Sequence, residues 1–311
     1  MTTAATHVWR LLKWGRTLAR HGALTGIERD PLTPPFVRRL ARIARFGASM
    51  PATPDYAAAL QAIGPAAIKL GQALSTRPDL VGDAAATNLL QLQDSLPPAP
   101  FPAIKASIEA ALGAPLESLF SKFDEVPVGA ASIAQVHHAV TTEGREVAVK
   151  VLRPGIEEEF TQAIETYQWA ALHVERAGGE LERLRPRLVV EHFKQWTRRE
   201  LDLQREGASA SELRDNMVAE PGFHIPEIDW SRTARRVLTL EWLDGIKLSH
   251  RDKLIAAGHD PKALAAILVR GFLRQAVVDG YFHADLHQGN LFALADGRIG
   301  AVDFGIMGRI D

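Results

Sequence analysis

His283-Ala284-Asp285-Leu286-His287-Gln288-Gly289-Asn290, followed shortly by Asp303-Phe304-Gly305, is the stretch on which the reading turns. It sets a carboxylate five positions before an amide. Upstream, Pro261 opens a helical run to about Asp279; downstream, Leu291–Leu294 and Ile299–Val302 form a hairpin turned at Asp296-Gly297. Taken singly, Asp303 reads as a turn residue and Asn290 as a strand cap, but the joint spacing is not easily accidental. His283 and His287 invite a metal pair. They stand beside oxygen donors, which a hard ion such as magnesium prefers, so both histidines are read as structural.

Further out, Val147-Ala148-Val149-Lys150 ends an apolar strand in a lysine. A buried cation there is costly unless it is paired or faces a phosphate. A strand-ending lysine is ordinarily a surface residue, so its neighbours decide. Gly129-Ala130-Ala131-Ser132 is a run of small residues between strands, which lets backbone N–H groups approach an anion. Ile133–Val140 and Val147–Leu152 read as a hairpin about Glu143-Gly144, helices follow at Glu157–Arg176 and Leu188–Arg214, and strands at Ile225–Ile228 and Arg236–Trp242. Phosphoryl transfer needs a carboxylate near the attacking hydroxyl, a carboxylate and an amide on magnesium, and a lysine on the triphosphate. Asp285, Asn290, Asp303 and Lys150 supply these in the chain order kinases use.

Four further segments make the chain similar to the UbiB family of atypical protein-kinase-like proteins, associated with ubiquinone biosynthesis. Ile68-Lys69-Leu70-Gly71-Gln72, with Ser75-Thr76-Arg77-Pro78-Asp79-Leu80 after it, resembles the family's Lys-x-Gly-Gln motif. Gly129-Ala130-Ala131-Ser132 resembles its alanine-rich nucleotide loop, with Gly129 where alanine is frequent. Glu200-Leu201-Asp202-Leu203-Gln204-Arg205-Glu206 resembles the Glu-x-Asp motif and the glutamate that pairs with the strand lysine. Leu240-Glu241-Trp242-Leu243-Asp244-Gly245 resembles the hinge, where backbone groups would hold adenine.

The resemblance implies an α+β, two-lobed protein-kinase-like fold with a helical N-terminal extension. It divides the chain into a basic amphipathic arm (1–50), a helical extension (51–115), an N-lobe with inserted helices (116–245) and a partial C-lobe (246–311). The chain stops at Asp311, so the C-lobe reads as truncated, with C-terminal membrane-spanning segments expected in longer relatives. The implied cofactors are ATP and Mg. Lys150, oriented by Glu206, would bind phosphates; Asn290 and Asp303 would hold Mg; Asp285 would serve as base or position water; Glu241 and Leu243 would mark the adenine site. On one continuous helix Glu200 and Glu206 would point about 120° apart, leaving Glu200 and Asp202 to face the cleft near Lys69, Gly71 and Gln72. Ala284 stands where many kinases carry an arginine that reads activation-loop phosphorylation, so that control is not expected. An occluding Lys-x-Gly-Gln helix favours ATP hydrolysis over phosphorylation of a protein in trans. Two alternatives are a nucleotide-dependent pseudokinase scaffold and a small-molecule phosphotransferase.

The 311 residues, 46% hydrophobic and 23% charged, suit a globular chain, and the lack of cysteine excludes disulfides and thiolate chemistry. A net charge of −1 hides a basic arm: Arg10, Lys13, Arg16, Arg20, Arg29, Arg38, Arg39, Arg42 and Arg45 against Glu28 and Asp30. Val8–Arg20 reads as a basic amphipathic helix with Trp9 and Trp14 at headgroup level, and Phe36–Phe46 repeats the pattern. An ordinary surface helix is the alternative. No apolar stretch reaches the ~18–20 residues that span a bilayer. The expected partners are a nucleotide, an anionic membrane surface or lipid, and quinone-biosynthesis enzymes, with no nucleic acid. The expected location is cytoplasmic, peripheral at the inner face of the cell membrane.

Overall fold

The computed structural model describes residues 3–24, 33, 35–47, 51, 53–92, 96–176, 183 and 185–310. Glu28, Arg29 and Asp30 of the expected arm lie outside the described residues. The helices, in chain order, begin with α1 (Ala4–Arg20), α2 (Pro35–Arg45), α3 (Tyr56–Ile63), α4 (Pro65–Ser75), α5 (Pro78–Val81) and α6 (Asp83–Leu89). They continue with α7 (Phe101–Leu112), α8 (Leu116–Leu119), α9 (Ile156–Arg176), α10 (Pro186–Glu200), α11 (Leu203–Asn216), α12 (Arg251–Ala256) and α13 (Pro261–Leu273). No helix among the described residues is long and apolar enough to cross a membrane.

The chain forms two compact units. One comprises Met1–Pro97, Ala131–Ile133 and Gly155–Arg198; the other Pro98–Ala130, Ala134–Pro154 and Arg199–Asp311. The first is helical. In the expected helical extension, α3 and α4 are separate helices, because Gly64 (φ 131°, ψ −177°) leaves the helical region and Pro65 opens the next helix at its first turn. A side chain at Gly64 would also meet the Glu159 carboxylate at 2.8 Å. Small residues likewise let α1 and α2 close on one another through Ala19, Leu24, Ala41 and Ala44. On α4, a Cβ at Gly71 would lie 2.4 Å from a Leu60 methyl and 2.5 Å from a Leu92 methyl, so a larger residue there requires these leucines to shift within their packing against Ala57, Ile68 and Leu89.

The second unit carries the strands: β1 (Phe120–Phe123), β2 (Gly129–Ala130), β3 (Ala134–Thr141), β4 (Glu146–Leu152), β5 (Phe223–His224), β6 (Val237–Glu241), β7 (Gly245–Lys247), β8 (Tyr281–His283), β9 (Leu291–Leu294), β10 (Ile299–Ala301) and β11 (Met307–Arg309). A five-stranded antiparallel sheet runs β1-β3-β4-β6, with β2 on β3; a second runs β5-β10-β9-β7, and β8 pairs with β11. Val147, Val149 and Val151 of β4 bury into a core with Ile104, Ile108 and Phe120. The period of two then sends Lys150 to the other face of the sheet.

Three expected elements differ. Ile225–Ile228 is not a strand: β5 is Phe223–His224, and Ile228 makes only an isolated bridge to Leu240. The helix expected over Leu188–Arg214 breaks at Leu201-Asp202, where Leu203 N–H donates to the Arg235 carbonyl. The 120° separation of Glu200 and Glu206 therefore lapses, since they stand on separate helices. The helix from Pro261 is α-helical only to Leu273 and continues as a π-turn over Arg274–Val278.

Gly71→Val is expected to lower the unfolding free energy by about 1–3 kcal/mol, the usual cost of overpacking, in urea titrations followed by circular dichroism. Unchanged stability would show that the leucines yield freely.

Candidate functional site

Register and a glycine bring the strand lysine to its carboxylate. Lys150 on β4 lies opposite Leu238 on β6. A Cβ at Gly207 on α11 would sit 3.0 Å from a Leu238 methyl, so α11 lies close on β6 with Glu206 adjacent. Lys150 Nζ then donates to Glu206 Oε1 at 2.8 Å, to Glu206 Oε2 at 2.9 Å and to Asp303 Oδ1 at 3.0 Å. The three side chains are 16%, 8% and 49% exposed respectively. Burial alone would lower the Lys150 pKa, but Asp303 and Glu206 outweigh it and hold the ammonium protonated, above its ordinary value. Burial pushes the Glu206 carboxyl up, with Lys150 opposing and Asp303 and Glu200 adding to the rise. A forked contact from one ammonium to both oxygens marks the pair as ionised.

The two arms of this cluster differ in weight. Removing one partner of a buried pair costs about 3–5 kcal/mol, whereas an exposed pair is worth about 0–1 kcal/mol. Glu206 is the anchor, and the half-exposed Asp303 arm is the exchangeable one.

Asp303 and Asn290 meet at one end of a hairpin. Val302 N–H donates to the Asn290 carbonyl at 2.9 Å, continuing the β9–β10 ladder by one step. Asp303 follows with φ 64°, a left-handed conformation that costs a non-glycine residue about 1–3 kcal/mol and clusters at functional sites. Asn290 is buried, and its amide donates to the Asp285 carbonyl at 3.4 Å. His283, 1% exposed, ties the loop together. Its Nδ1 accepts the Asp285 N–H at 3.1 Å, so Nε2 carries the proton and donates to the Val302 carbonyl at 3.3 Å. Burial pushes its pKa down, which keeps the ring neutral. His287 Nδ1 accepts the Gly289 N–H. Both rings are thus engaged with backbone, in keeping with a structural role.

Sequence reasoning missed Gln275. The π-turn carries it, wholly buried, to where its Oε1 accepts the His283 N–H at 3.0 Å. An α-helical reading of Pro261–Asp279 gives no signal of it.

At the hinge, Leu243 makes no backbone hydrogen bond among the described residues. The Glu241 carboxylate accepts from His224 Nε2 at 3.0 and 3.1 Å and from the Glu227 N–H at 3.1 Å. Of the loop, Gly129 and Ala130 form β2 on β3 in the second unit, while Ala131 and fully buried Ser132 belong to the first. Lys69 and Gly71 are buried on α4, with Gln72 half-buried beside them and the Lys69 ammonium 5.8 Å from the Trp196 ring centroid. Glu200 and Asp202 lie in the second unit, so the structure assigns the two motifs to different units.

Among the described residues, no cluster of three or more His, Cys, Asp or Glu could hold a metal. One carboxylate and one amide instead suit a hard ion that arrives with phosphate oxygens and keeps some of its water, as magnesium does.

Glu206→Leu is expected to cost about 3–5 kcal/mol of stability and Asp303→Asn about 0–1 kcal/mol, read by urea titration. Folding raises the Lys150 pKa, so its contribution is full below the ordinary lysine value of ~10.4 and lost as pH rises beyond it. Wild-type stability should fall more steeply above pH ~10.4 than that of Lys150→Met.

Residues 91–311 match the ABC1 atypical kinase-like domain. Relatives named "Probable protein kinase UbiB" from Xylella fastidiosa (strain M12) and Marinobacter nauticus are 44% identical over 258 residues and 43% over 256. Each alignment covers 81% of this chain and 47% of the relative, so the chain spans about half the length of these curated relatives. A solved Rv3197–erythromycin complex from Mycobacterium tuberculosis is 29% identical, with a TM-score of 0.54 over 79% of this chain and 61% of that one. The chain belongs to the ABC1 atypical kinase-like family, together with the UbiB relatives it resembles.

Proposed function

We propose that the chain binds ATP with magnesium and acts as a UbiB-type atypical kinase or ATPase serving ubiquinone biosynthesis at a membrane. The observation that carries this is the lysine held between a buried glutamate and a left-handed aspartate beside a buried asparagine. In this reading Lys150, kept charged and oriented by Glu206, donates to the α- and β-phosphates, taking up charge that Asp303 otherwise balances. The Leu243 backbone holds the adenine edge. Asn290 and Asp303 are the residues that would hold magnesium, which when bound neutralises charge on the phosphate oxygens. The Asp285 carboxylate, on a loop fixed by His283, takes or directs the proton of the attacking hydroxyl or water.

The membrane reading rests on α2 and on Trp9, which is 64% exposed, more than on Trp14 of α1. Leu40, Ile43 and Phe46 are 38%, 51% and 84% exposed, among the exposed Arg39 and Arg42. Trp14 instead packs on Tyr167, with ring centroids 5.3 Å apart, and Arg10 turns inward to the Gln162 carbonyl at 2.7 Å and Thr166 Oγ1 at 2.8 Å. Apolar side chains flanked by arginines suit the boundary of an anionic bilayer.

Calorimetric titration with ATP and magnesium should show binding that weakens at least about tenfold in Lys150→Ala, the loss of a charge-assisted contact. Phosphate release should need magnesium and vanish in Asp303→Asn; nucleotide binding with no dependence on Lys150 would overturn the reading. Ile43→Asp with Phe46→Asp should lower cosedimentation with phosphatidylglycerol vesicles at least about tenfold, since each buried side chain contributes ~1.5–3 kcal/mol. Equal sedimentation would remove the membrane assignment.

A further inference from the structure

The first unit holds a cavity of about 240 Å³ among α1, the start of α4 and α9. It shares no residue with the lysine–carboxylate cluster. Its volume is below the ~300–1,000 Å³ of sites for drug-sized ligands, so it suits a smaller molecule. Trp9, Trp14 and Tyr167 supply aromatic surface, with Tyr167 braced by Trp14 on one side and by an edge contact to Phe193, 6.1 Å between centroids.

The polar groups around these rings are mainly donors. The Tyr167 hydroxyl has no hydrogen-bond partner among the described residues, and burial together with Glu159 pushes its pKa up, so it stays a donor at any ordinary pH. Lys13, also in the lining, has no ion-pair partner among the described residues; its ammonium is 5.8 Å from the Trp9 ring centroid. Among the described residues, Arg10 donates to neutral oxygens, those of Gln162 and Thr166. The carboxylate in the lining, Glu159, lies against Gly64, where a Cβ would be 2.8 Å from its Oε1. Arg10 and Lys13 set two positive charges in the lining against the one carboxylate of Glu159, and with the Tyr167 hydroxyl among aromatic rings this net-positive, donor-rich wall is complementary to an anion carried on an aromatic body.

We propose that this cavity is a binding site for a small aromatic anion, its ring against Trp14 and Tyr167 and its charge toward Lys13 and the Tyr167 hydroxyl. The site is independent of the nucleotide reading, and its test does not require turnover.

The probe is 2-naphthoate, titrated into the chain by calorimetry and by quenching of tryptophan fluorescence. The controls are the uncharged 2-naphthylmethanol and inorganic phosphate. The expected result is saturable binding of naphthoate, weaker by about tenfold or more for either control and for Tyr167→Phe or Lys13→Met, as for loss of a hydrogen bond to a charged group. Tyr167→Phe removes one oxygen and keeps the ring packing, and thermal unfolding of each variant checks that it is folded. No saturation by 10 mM naphthoate would overturn the proposal, as would equal affinity for the alcohol or for phosphate, or unchanged affinity in both variants.

Discussion

One ammonium between two carboxylates organises the second unit. Lys150 sits where a cation is costly to bury, and it is tolerated because Glu206 meets it with both oxygens and Asp303 with one. The cluster joins β4, α11 and the segment after β10, three pieces far apart in the chain. Gly207 is part of the same device: its bare backbone lies against Leu238, where a β-carbon would come within 3.0 Å of a methyl, and so lets α11 bring its first turn close to the strand lysine. The unequal burial of the two carboxylates gives the lysine one fixed partner and one that a phosphate can replace.

The second constraint is the short hairpin that carries the other ligands. Because β9 and β10 are antiparallel and joined by a tight turn, residues just outside their far ends meet, and these are Asn290 and Val302-Asp303. His283 then fastens the Asp285 backbone to the Val302 carbonyl. Gln275 fastens His283 in turn. The loop is held by backbone contacts through buried, neutral groups, leaving the Asp285 carboxylate uncommitted by them.

The first unit is governed by close approach. Gly64 and Gly71 are sites where a β-carbon would strike a neighbour, and the α1–α2 pair closes over alanines. Such packing puts larger side chains outward or into the cavity beside α9. Apolar and basic groups therefore collect on the open side of α2, while Trp14 and Tyr167 line the cavity.

Motif order, hairpin turns and strand period were legible in the sequence. Val147, Val149 and Val151 alternate with Ala148 and Lys150, so parity alone assigns the lysine to the face opposite the valine core. Asp296-Gly297 fixes the hairpin and so the meeting of Asn290 with Asp303. These are local consequences of backbone geometry and follow from residue order without any distant contact. The break before Leu203, the π-turn that presents Gln275, the turning of Arg10 and Trp14 inward and the capture of the Glu241 carboxylate by His224 were decided by tertiary structure. In the break before Leu203 and the inward turn of Arg10 and Trp14, a contact to a residue distant in the chain outweighs a helical or amphipathic preference worth a few tenths of a kcal/mol per residue, roughly the scale of intrinsic propensity.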